Sequence, residues 1–468
     1  MLIDGNKLLV NADGSALDRI SGFETEYAIN CETTGKLCTP VAASEYVAFH
    51  GLPTSAFDEQ GARVYLDGTH PEYSSPEEVS YLDSAYRGLL GHVAMASFYR
   101  DYSAEVADEM GITATHLFAN TCDITGNSWS SHENILARRG LNPQDYIAAL
   151  AAHNLSRIVW SGAGHVVPRS ADDGFRFCLS ERAEHIWDLA NYQTTRFRPL
   201  VNLKDETLGN EALYRRIHGV SGETVFSPTV NALRQATTSI ILRACELGIK
   251  FDDLLPEEPV QAIRDISHDP SLKQAVRVES GSEYTGIEMQ LKLAERAVDA
   301  AVNANYITPQ EKFYAEKWAG LCEDLRRDPE SCVNRVDWIL KKKTVEHALE
   351  AKQERGHKYS AFEVARFVSI EYHRLLPKEG LGMQAIRKGF FEDSPSAEVL
   401  QEGLPLPPTR AFLRADTIRR LRKAHVPYMA DWWFMRIGDQ EEFHRVNMAR
   451  PHDSESERME RALERVAA

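Results

Sequence analysis

Two glutamates stand two positions apart near the start of the chain, as Glu24 and Glu26 on either side of Thr25. Residues 19–30 mix aromatic and β-branched side chains and are predicted to form a strand. Residues i and i+2 of a strand face the same side, so the two carboxylates repel each other unless a cation lies between them. Carboxylate oxygens suit Mg²⁺. An exposed polar strand face has the same pattern, so the spacing alone leaves both interpretations open.

A second polar cluster follows at residues 62–72, ARVYLDGTHPE. Residues 62–68 are predicted to form a strand on which Arg63, Tyr65 and Asp67 share one face. The guanidinium of Arg63 is suited to a phosphate, Asp67 is suited to be a base or a nucleophile, and Glu72 is placed to reach a metal. A salt-bridged Arg–Asp pair beside a turn explains the spacing equally well.

Two further segments carry polar groups. Residues 127–134, NSWSSHEN, form a dense polar run that includes His132, although a lone histidine is more often structural. A basic run, suited to bind the charges of a triphosphate, comprises Arg196, Arg198, Lys204, Arg215 and Arg216 and is followed by His218. A solvated loop is the alternative for each of these cations singly.

The predicted elements place these residues in an α+β fold. Further strands are predicted at 115–120 and 174–180, and helices begin at Asn142–Pro143 and at Ser227–Pro228, the second ending near Gly248. Ser75, Pro76 and Glu78 are expected to cap another helix. Residues 256–375 are mostly helical in pattern. Regular βαβ alternation, GxxxxGK[ST] and GxGxxG are all missing, so a nucleotide would bind outside P-loop and Rossmann architecture.

Composition limits the class of protein. The chain has 468 residues, 43% of them hydrophobic, and a formal net charge of −16, which disfavours a nucleic-acid partner. Seven cysteines without CxxC spacing predict reduced thiols. The polar N-terminus does not resemble a signal peptide, and no run of about 18 apolar residues predicts a membrane span. We therefore expect a cytoplasmic protein that binds no membrane.

Three regions are predicted along the chain. Residues 1–18 form a lead-in, residues 19–400 a catalytic domain, and residues 401–468 a small C-terminal domain with a charged tail. The Gly- and Pro-rich stretch 376–408, which contains PLPP, suggests the boundary.

Taken together, the motifs resemble one family. GFETEY, GARVYLDGTHPEYSSPE, GNSWSSHEN, LSERAEHIW, TTRFRP and YRRIH are similar to the Pup ligase and Pup deamidase/depupylase family of glutamine synthetase-like carboxylate–amine ligases. The resemblance implies a glutamine synthetase-like large domain, with a curved antiparallel sheet packed by helices, plus a small C-terminal domain. It implies ATP, or ADP plus phosphate, and Mg²⁺ as cofactors.

The resemblance also implies roles for individual residues. Asp67 matches the catalytic aspartate, and Glu24, Tyr65 and Glu72 match metal ligands, with His132 and His218 near the metal. The strand spacing adds Glu26 to this set. The nucleotide contacts expected are Arg63, Ser75, Arg198, Arg216 and Trp432, the last in the DWW motif.

Members of the family catalyse one of two opposed reactions of Pup, a small disordered protein modifier: its attachment to a substrate lysine or its removal. HPEYSSPE, SHDPSL and RRDPESC resemble the hydrolases, and Glu24 and Asp67 lie only 43 positions apart, without the long inserted loop of most hydrolases. We therefore expect a loop-less depupylase, an isopeptidase that cleaves Pup from substrate lysines, with Pup and pupylated proteins as partners and a monomeric state.

Three alternatives stay open at this point. They are a Pup–protein ligase, a small-molecule carboxylate–amine ligase and a non-catalytic paralogue that senses nucleotide or Pup. KDETLGN at 204–210 departs from the acidic segment of both main branches, which puts the details of Pup binding in doubt. Lys341–Lys343 and the basic residues at 419–423 are candidates for a Pup groove, but solvated helix faces are the expected interpretation.

Overall fold

The computed structural model of the protein describes residues 8–33, 36–38, 55–68, 70–110, 112–123, 126–169, 174–355, 358–439 and 443–467. The strands in chain order are β1 (Ser21–Glu26), β2 (Ala28–Thr33), β3 (Lys36–Cys38), β4 (Ser55–Phe57), β5 (Arg63–Asp67), β6 (His70–Ser74), β7 (Ile112–Phe118), β8 (Ser131–Arg138), β9 (His165–Pro168), β10 (Phe175–Cys178), β11 (Asp188–Asn191), β12 (Pro199–Asn202), β13 (Tyr214–Gly219), β14 (Ala275–Arg277), β15 (Glu283–Thr285), β16 (Arg374–Leu376), β17 (Tyr428–Ala430), β18 (Phe434–Gly438) and β19 (Phe443–Asn447).

The α-helices are α1 (Tyr81–Met110), α2 (Pro143–Ser156), α3 (Ile158–Ser161), α4 (Pro228–Glu246), α5 (Pro259–Ser267), α6 (Gly286–Asn303), α7 (Pro309–Arg327), α8 (Asp337–Arg355), α9 (Ala361–Glu371), α10 (Leu381–Arg387), α11 (Ala397–Glu402), α12 (Arg410–Lys423) and α13 (Glu457–Ala467). Short 3₁₀ helices cover Ala183–His185, Asp252–Leu254 and Pro329–Cys332. Strands therefore dominate the first half and helices the second, as the sequence predicts.

The main sheet has six strands in the order β13-β8-β1-β6-β5-β4, and every neighbouring pair is antiparallel. A four-stranded sheet has the order β16-β7-β2-β3, and β17, β18 and β19 form a third sheet near the C-terminus. The predicted strand 19–30 is in fact two strands, because at Tyr27 the backbone N–H turns to the Pro71 carbonyl and β2 leaves for the second sheet.

Helices α1 and α4 cover one face of the main sheet. Residues 228–246 of α4 are all buried, and the Arg234 guanidinium lies 5.5 Å from the centre of the Phe23 ring on β1. The predicted bounds of α4 are confirmed: Ser227 caps its start by accepting a hydrogen bond from Val230, and Gly248 follows its end at φ +82°. The opposite face of the sheet is left for chemistry.

The helix predicted to start at Ser75 begins instead at Tyr81, so that prediction is wrong. Ser75 pairs with β1 through both its backbone and its side chain, since its N–H donates to the Phe23 carbonyl and its Oγ accepts from the Phe23 N–H. Glu78 and Ser21 then exchange two backbone hydrogen bonds. Groups already paired with a neighbouring strand cannot begin a helix.

The stretch 376–408 is less open than its composition suggests. It contains α10 and α11, and Met383, Ile386, Phe391 and Leu400 pack into the core that includes β2 and β7 residues. The division of the chain at residues 18 and 400 stays a prediction.

The expectation of a solvated helix face is wrong for Lys341. Its Nζ is buried, donates to the Gly164 carbonyl at 2.7 Å and lies 3.1 Å from Glu181 Oε1. Arg420 and Arg422 do lie on accessible surface, where they pair with Glu460 and Glu59. Across the described residues, no helix is both long and apolar enough to span a bilayer.

We expect Gly91→Ala to loosen the support of the main sheet. Gly91 lies on α1, and a Cβ there would stand 2.4 Å from the ring of Tyr73 on β6. Overpacking of this kind should lower the free energy of unfolding by about 1–3 kcal/mol. Gly320→Ala is the matched control, because its Cβ would meet no atom within 4 Å and should raise helix stability by up to about 1 kcal/mol. Denaturant titration measures both, and equal stabilities for the two variants would contradict this packing.

Candidate functional site

The exposed face of the main sheet collects polar side chains from five strands. Glu24 lies beside Ser74 of β6 on one side and His132 of β8 on the other, and Glu26 lies opposite Glu72. Tyr65 lies opposite Glu72 on the next strand. Directly opposed residues of antiparallel strands point to the same face. The sheet register therefore brings both predicted acidic clusters together.

Glu24, His132 and His218 form the first group of potential ligands. One ligand atom from each lies within 4.8 Å of the others. Oε2 of Glu24 lies 3.2 Å from Nδ1 of His132 and 3.4 Å from Nε2 of His218, while Nη1 of Arg216 lies 3.5 Å from its Oε1. Burial raises the pKa of Glu24, but both histidine contacts and the charge of Arg216 outweigh it and hold that pKa well below its ordinary value.

Glu26, Asp67 and Glu72 form the second group, again with one oxygen from each within 4.8 Å of the others. The Tyr65 hydroxyl donates a hydrogen bond to Oε1 of Glu72. Burial and the negative charges of Glu24, Glu26 and Asp67 raise the pKa of Glu72 well above its ordinary value. The carboxylates therefore repel one another strongly unless a cation is bound.

Both groups fit a divalent cation. The second offers only carboxylate oxygens, the donors that Mg²⁺ prefers, whereas the first is a mixed oxygen and nitrogen set. Both ring nitrogens of His218 are buried, and Nε2 faces Glu24 at 3.4 Å. Burial lowers the pKa of His218 to about 4, so the ring is neutral near pH 7 and one of its nitrogens keeps a lone pair for a metal ion.

A cavity opens beside the first group, between the sheet and the C-terminal segment (residues 409–439 and 443–467). Its lining includes Gly22, Glu24, Ser75, Arg216 and Trp432. A Cβ at Gly22 would lie 3.1 Å from Oγ of Ser75, so the glycine lets the two strands of the wall approach closely. Arg216 supplies a cation for phosphates and Trp432 an aromatic ring for a base, so the composition of this wall is suited to a nucleotide.

Two predicted nucleotide contacts, Arg63 and Arg198, are outside the lining of the cavity. The Arg63 guanidinium stacks over the Tyr65 ring at 4.5 Å on the edge of the acidic face and is outside the lining of the cavity. Arg198 donates to the Ser128 carbonyl. Burial lowers the pKa of Arg198, while the negative charge of Glu26 acts in the opposite direction. Arg198 therefore lies on the Glu26 side of the site.

Several residues of the site escaped the sequence reasoning. Asn134 accepts a hydrogen bond of 2.8 Å from Arg216, and strand parity with His132 would have found it. Glu206, within the divergent KDETLGN segment, lies 3.5 Å from the same guanidinium. Glu77 and Arg410 also line the cavity, and no local pattern links two residues 333 positions apart.

Comparison with known proteins gives the family. The model of the family described as Pup-ligase protein matches residues 44–436. The chain is 32% identical over 455 residues to a Pup–protein ligase of Acidimicrobium ferrooxidans, covering 95% of this chain and 98% of that protein. It is 32% identical over 464 residues to a Pup–protein ligase of Sanguibacter keddieii, covering 95% and 99%.

Two solved structures share the fold. The complex between the prokaryotic ubiquitin-like protein Pup and its ligase PafA superimposes with a TM-score of 0.83 at 21% identity, covering 98% of this chain and 94% of that chain. The Pup ligase PafA in complex with ADP gives a TM-score of 0.78 at 23% identity, covering 90% and 92%. The predicted α+β, glutamine synthetase-like fold is confirmed.

The expectation of a depupylase is wrong, because the curated relatives that match nearly the whole chain are Pup–protein ligases. Of the hydrolase-like segments, HPEYSSPE supplies Glu72 to the acidic face, and an acidic face that holds a cation serves bond formation and hydrolysis alike. The short spacing between Glu24 and Asp67 was equally compatible with a ligase.

The family model covers most of the chain, and the relatives exceed 30% identity over 95% of it. The chain belongs to the Pup-ligase family.

Proposed function

We propose that the protein is an ATP- and Mg²⁺-dependent Pup–protein ligase that joins the C-terminal glutamate of Pup to a substrate lysine. The observation that carries the proposal is that Glu24 of the first group lines a cavity with Arg216 and Trp432, while the Glu26, Asp67 and Glu72 carboxylates gather beside it on the same sheet. The ligase names of the near-full-length relatives support the direction of the reaction. The relatives solved with ADP and with Pup support the two substrates.

Activation of the glutamate is the first step. An oxygen of the Pup carboxylate attacks the γ-phosphorus of ATP, the bond to the β-phosphate oxygen breaks, and ADP leaves with that electron pair. Mg²⁺ held by the acidic face would neutralise charge on the phosphates. Arg216 lies in the cavity wall, oriented by Asn134 and Glu206, and would orient the nucleotide phosphates by charge-assisted hydrogen bonds.

The second step joins the lysine. Its nitrogen attacks the carbonyl carbon of the glutamyl phosphate, and the C–O bond to phosphate breaks. Asp67 would accept the proton that the ammonium loses as it becomes a nucleophile. Asp67 is exposed at the end of β5, so a protein-bound lysine can approach it, whereas Glu72 is buried behind it.

We expect Asp67→Asn to reduce conjugation by about 10²–10⁴-fold, the usual contribution of a positioned base. ATP binding should stay within a few-fold, because Asp67 is outside the lining of the cavity. The assay mixes enzyme, MgATP, a substrate protein and Pup ending in glutamate, and follows the conjugate on a gel. Asp299→Asn, an exposed change on α6, is the control and should be neutral.

Two outcomes would contradict these assignments. Full activity of Asp67→Asn would remove Asp67 from the chemistry. Failure of the wild-type enzyme to form any conjugate from Pup-Glu, ATP and Mg²⁺ would overturn the ligase proposal.

We expect Glu72→Gln to separate cation binding from folding. Without Mg²⁺ the variant should be at least as stable as the wild type near pH 7, because it removes one of several repelling carboxylates. A raised carboxyl pKa contributes stability that is complete below the ordinary value of 4.5 and is lost as the pH rises through the raised pKa of the folded state. A bound ion at 100 times its Kd adds about 2.7 kcal/mol to the wild type, and less to the variant.

Thermal unfolding with a chelator and with millimolar Mg²⁺ measures both effects. Glu398→Gln, an exposed carboxylate on α11, is the control and should respond to Mg²⁺ like the wild type. An equal response of the Glu72 variant would mean that the cation does not bind at this group.

A further inference from the structure

A buried carboxylate joins the main sheet to the C-terminal segment. Oε1 of Glu77, which follows β6 by three residues, accepts a hydrogen bond of 2.6 Å from Nε of Arg410. Oε2 accepts another from Nη2 of Arg414. The Glu77 backbone carbonyl also accepts from Oγ1 of Thr409, the residue that caps α12. The start of α12 is thus fixed to the segment that pairs with β1.

The two arginines extend this link to the walls of the cavity. Nη1 of Arg414 donates to the Trp432 carbonyl at 3.2 Å, and its guanidinium lies 5.0 Å from the centre of the Trp432 ring. Nη1 of Arg410 donates to the Leu208 carbonyl at 2.6 Å. Glu77 is therefore linked through Arg414 to Trp432, the aromatic wall of the cavity, and through Arg410 to the wall near Leu208.

A third contact fixes the link to the sheet edge. Nη2 of Arg414 donates to the Gly61 carbonyl at 2.9 Å, in the turn between β4 and β5. Gly61 has φ +80°, and a Cβ there would lie 2.9 Å from the Ala411 carbonyl. The turn and α12 therefore approach as closely as glycine permits.

Charge makes this link specific. Burial raises the pKa of Glu77, but Arg414 and Arg410 outweigh burial and lower that pKa to about 2, so the carboxylate is ionised at physiological pH. Two arginines and one glutamate, all buried, gain little stability compared with apolar packing, but removing one member leaves a buried charge uncompensated. Such a cluster is better suited to fixing a geometry than to adding stability.

We propose that Glu77 is a positioning residue which, through Arg410 and Arg414, holds Trp432 and the Leu208 wall at the spacing that binds the nucleotide of the proposed ligase reaction. The inference rests on the proposed function, since it takes the cavity to be the ATP site. Glu77, Leu208, Arg410 and Trp432 all line that cavity together with Glu24 and Arg216. Loss of the carboxylate would release both walls at once.

The test is calorimetric titration of MgADP into Glu77→Gln, without Pup, combined with steady-state conjugation. We expect MgADP affinity to fall at least fivefold and KM for ATP to rise similarly, while kcat at saturating ATP stays within about twofold. Arg414→Lys keeps the charge but loses the forked contacts, so it should weaken MgADP binding to a smaller extent. It also decides the question if Glu77→Gln does not fold.

Glu246→Gln is the matched control. Glu246 is a buried carboxylate that pairs with Arg19 at 2.6 Å, and it is outside the lining of the cavity. We expect it to lower stability but leave MgADP affinity unchanged below the unfolding temperature. Normal MgADP affinity in the Glu77 and Arg414 variants would overturn this inference but not the proposed function. An equal loss of affinity in the Glu246 variant would do the same. A wild-type protein that binds no MgADP would overturn the proposed function and the inference with it.

Discussion

Repulsion between carboxylates on one face of an antiparallel sheet is the constraint on which the rest of the structure depends. Glu24, Glu26 and Glu72 lie on neighbouring strands, and pairing directs all three to the same side. Their charges raise the pKa of Glu72 and favour a cation between them. The strands must therefore be supported from the opposite face, because the carboxylates of Glu26, Asp67 and Glu72 repel one another until a cation is bound.

The support comes from the opposite face. Phe23 and Tyr73 alternate with the acidic residues and are buried against α1 and α4. Glu133, which follows His132 on β8, points to this side and pairs with Arg157 and Arg234 at 2.7 Å. Glu24, Glu72 and His132 on the outer face thus each have a buried neighbour in sequence that packs on the opposite side of the sheet.

The direction of the reaction depends on features that the acidic face does not contain. A cation, a nucleotide and an aspartate serve either the formation or the cleavage of an isopeptide bond, so residues 63–72 predict the chemistry without its direction. Near-full-length likeness to Pup–protein ligases overturned the expectation drawn from short hydrolase-like segments and supports the proposed direction.

The sequence by itself determined what depends on neighbours along the chain. Strand parity placed Glu24 with Glu26 on one face and Arg63 with Tyr65 and Asp67 on another strand. Capping by Ser227 and Gly248 set the two ends of α4. Both effects act within a few residues, so they can be predicted from the sequence. Tertiary structure decided the break at Tyr27, the strand that occupies Ser75 and the burial of Lys341. It alone united Glu77 with Arg410 and Arg414, since a contact across more than 300 positions is set by how helices and sheets pack and leaves no local periodicity to read.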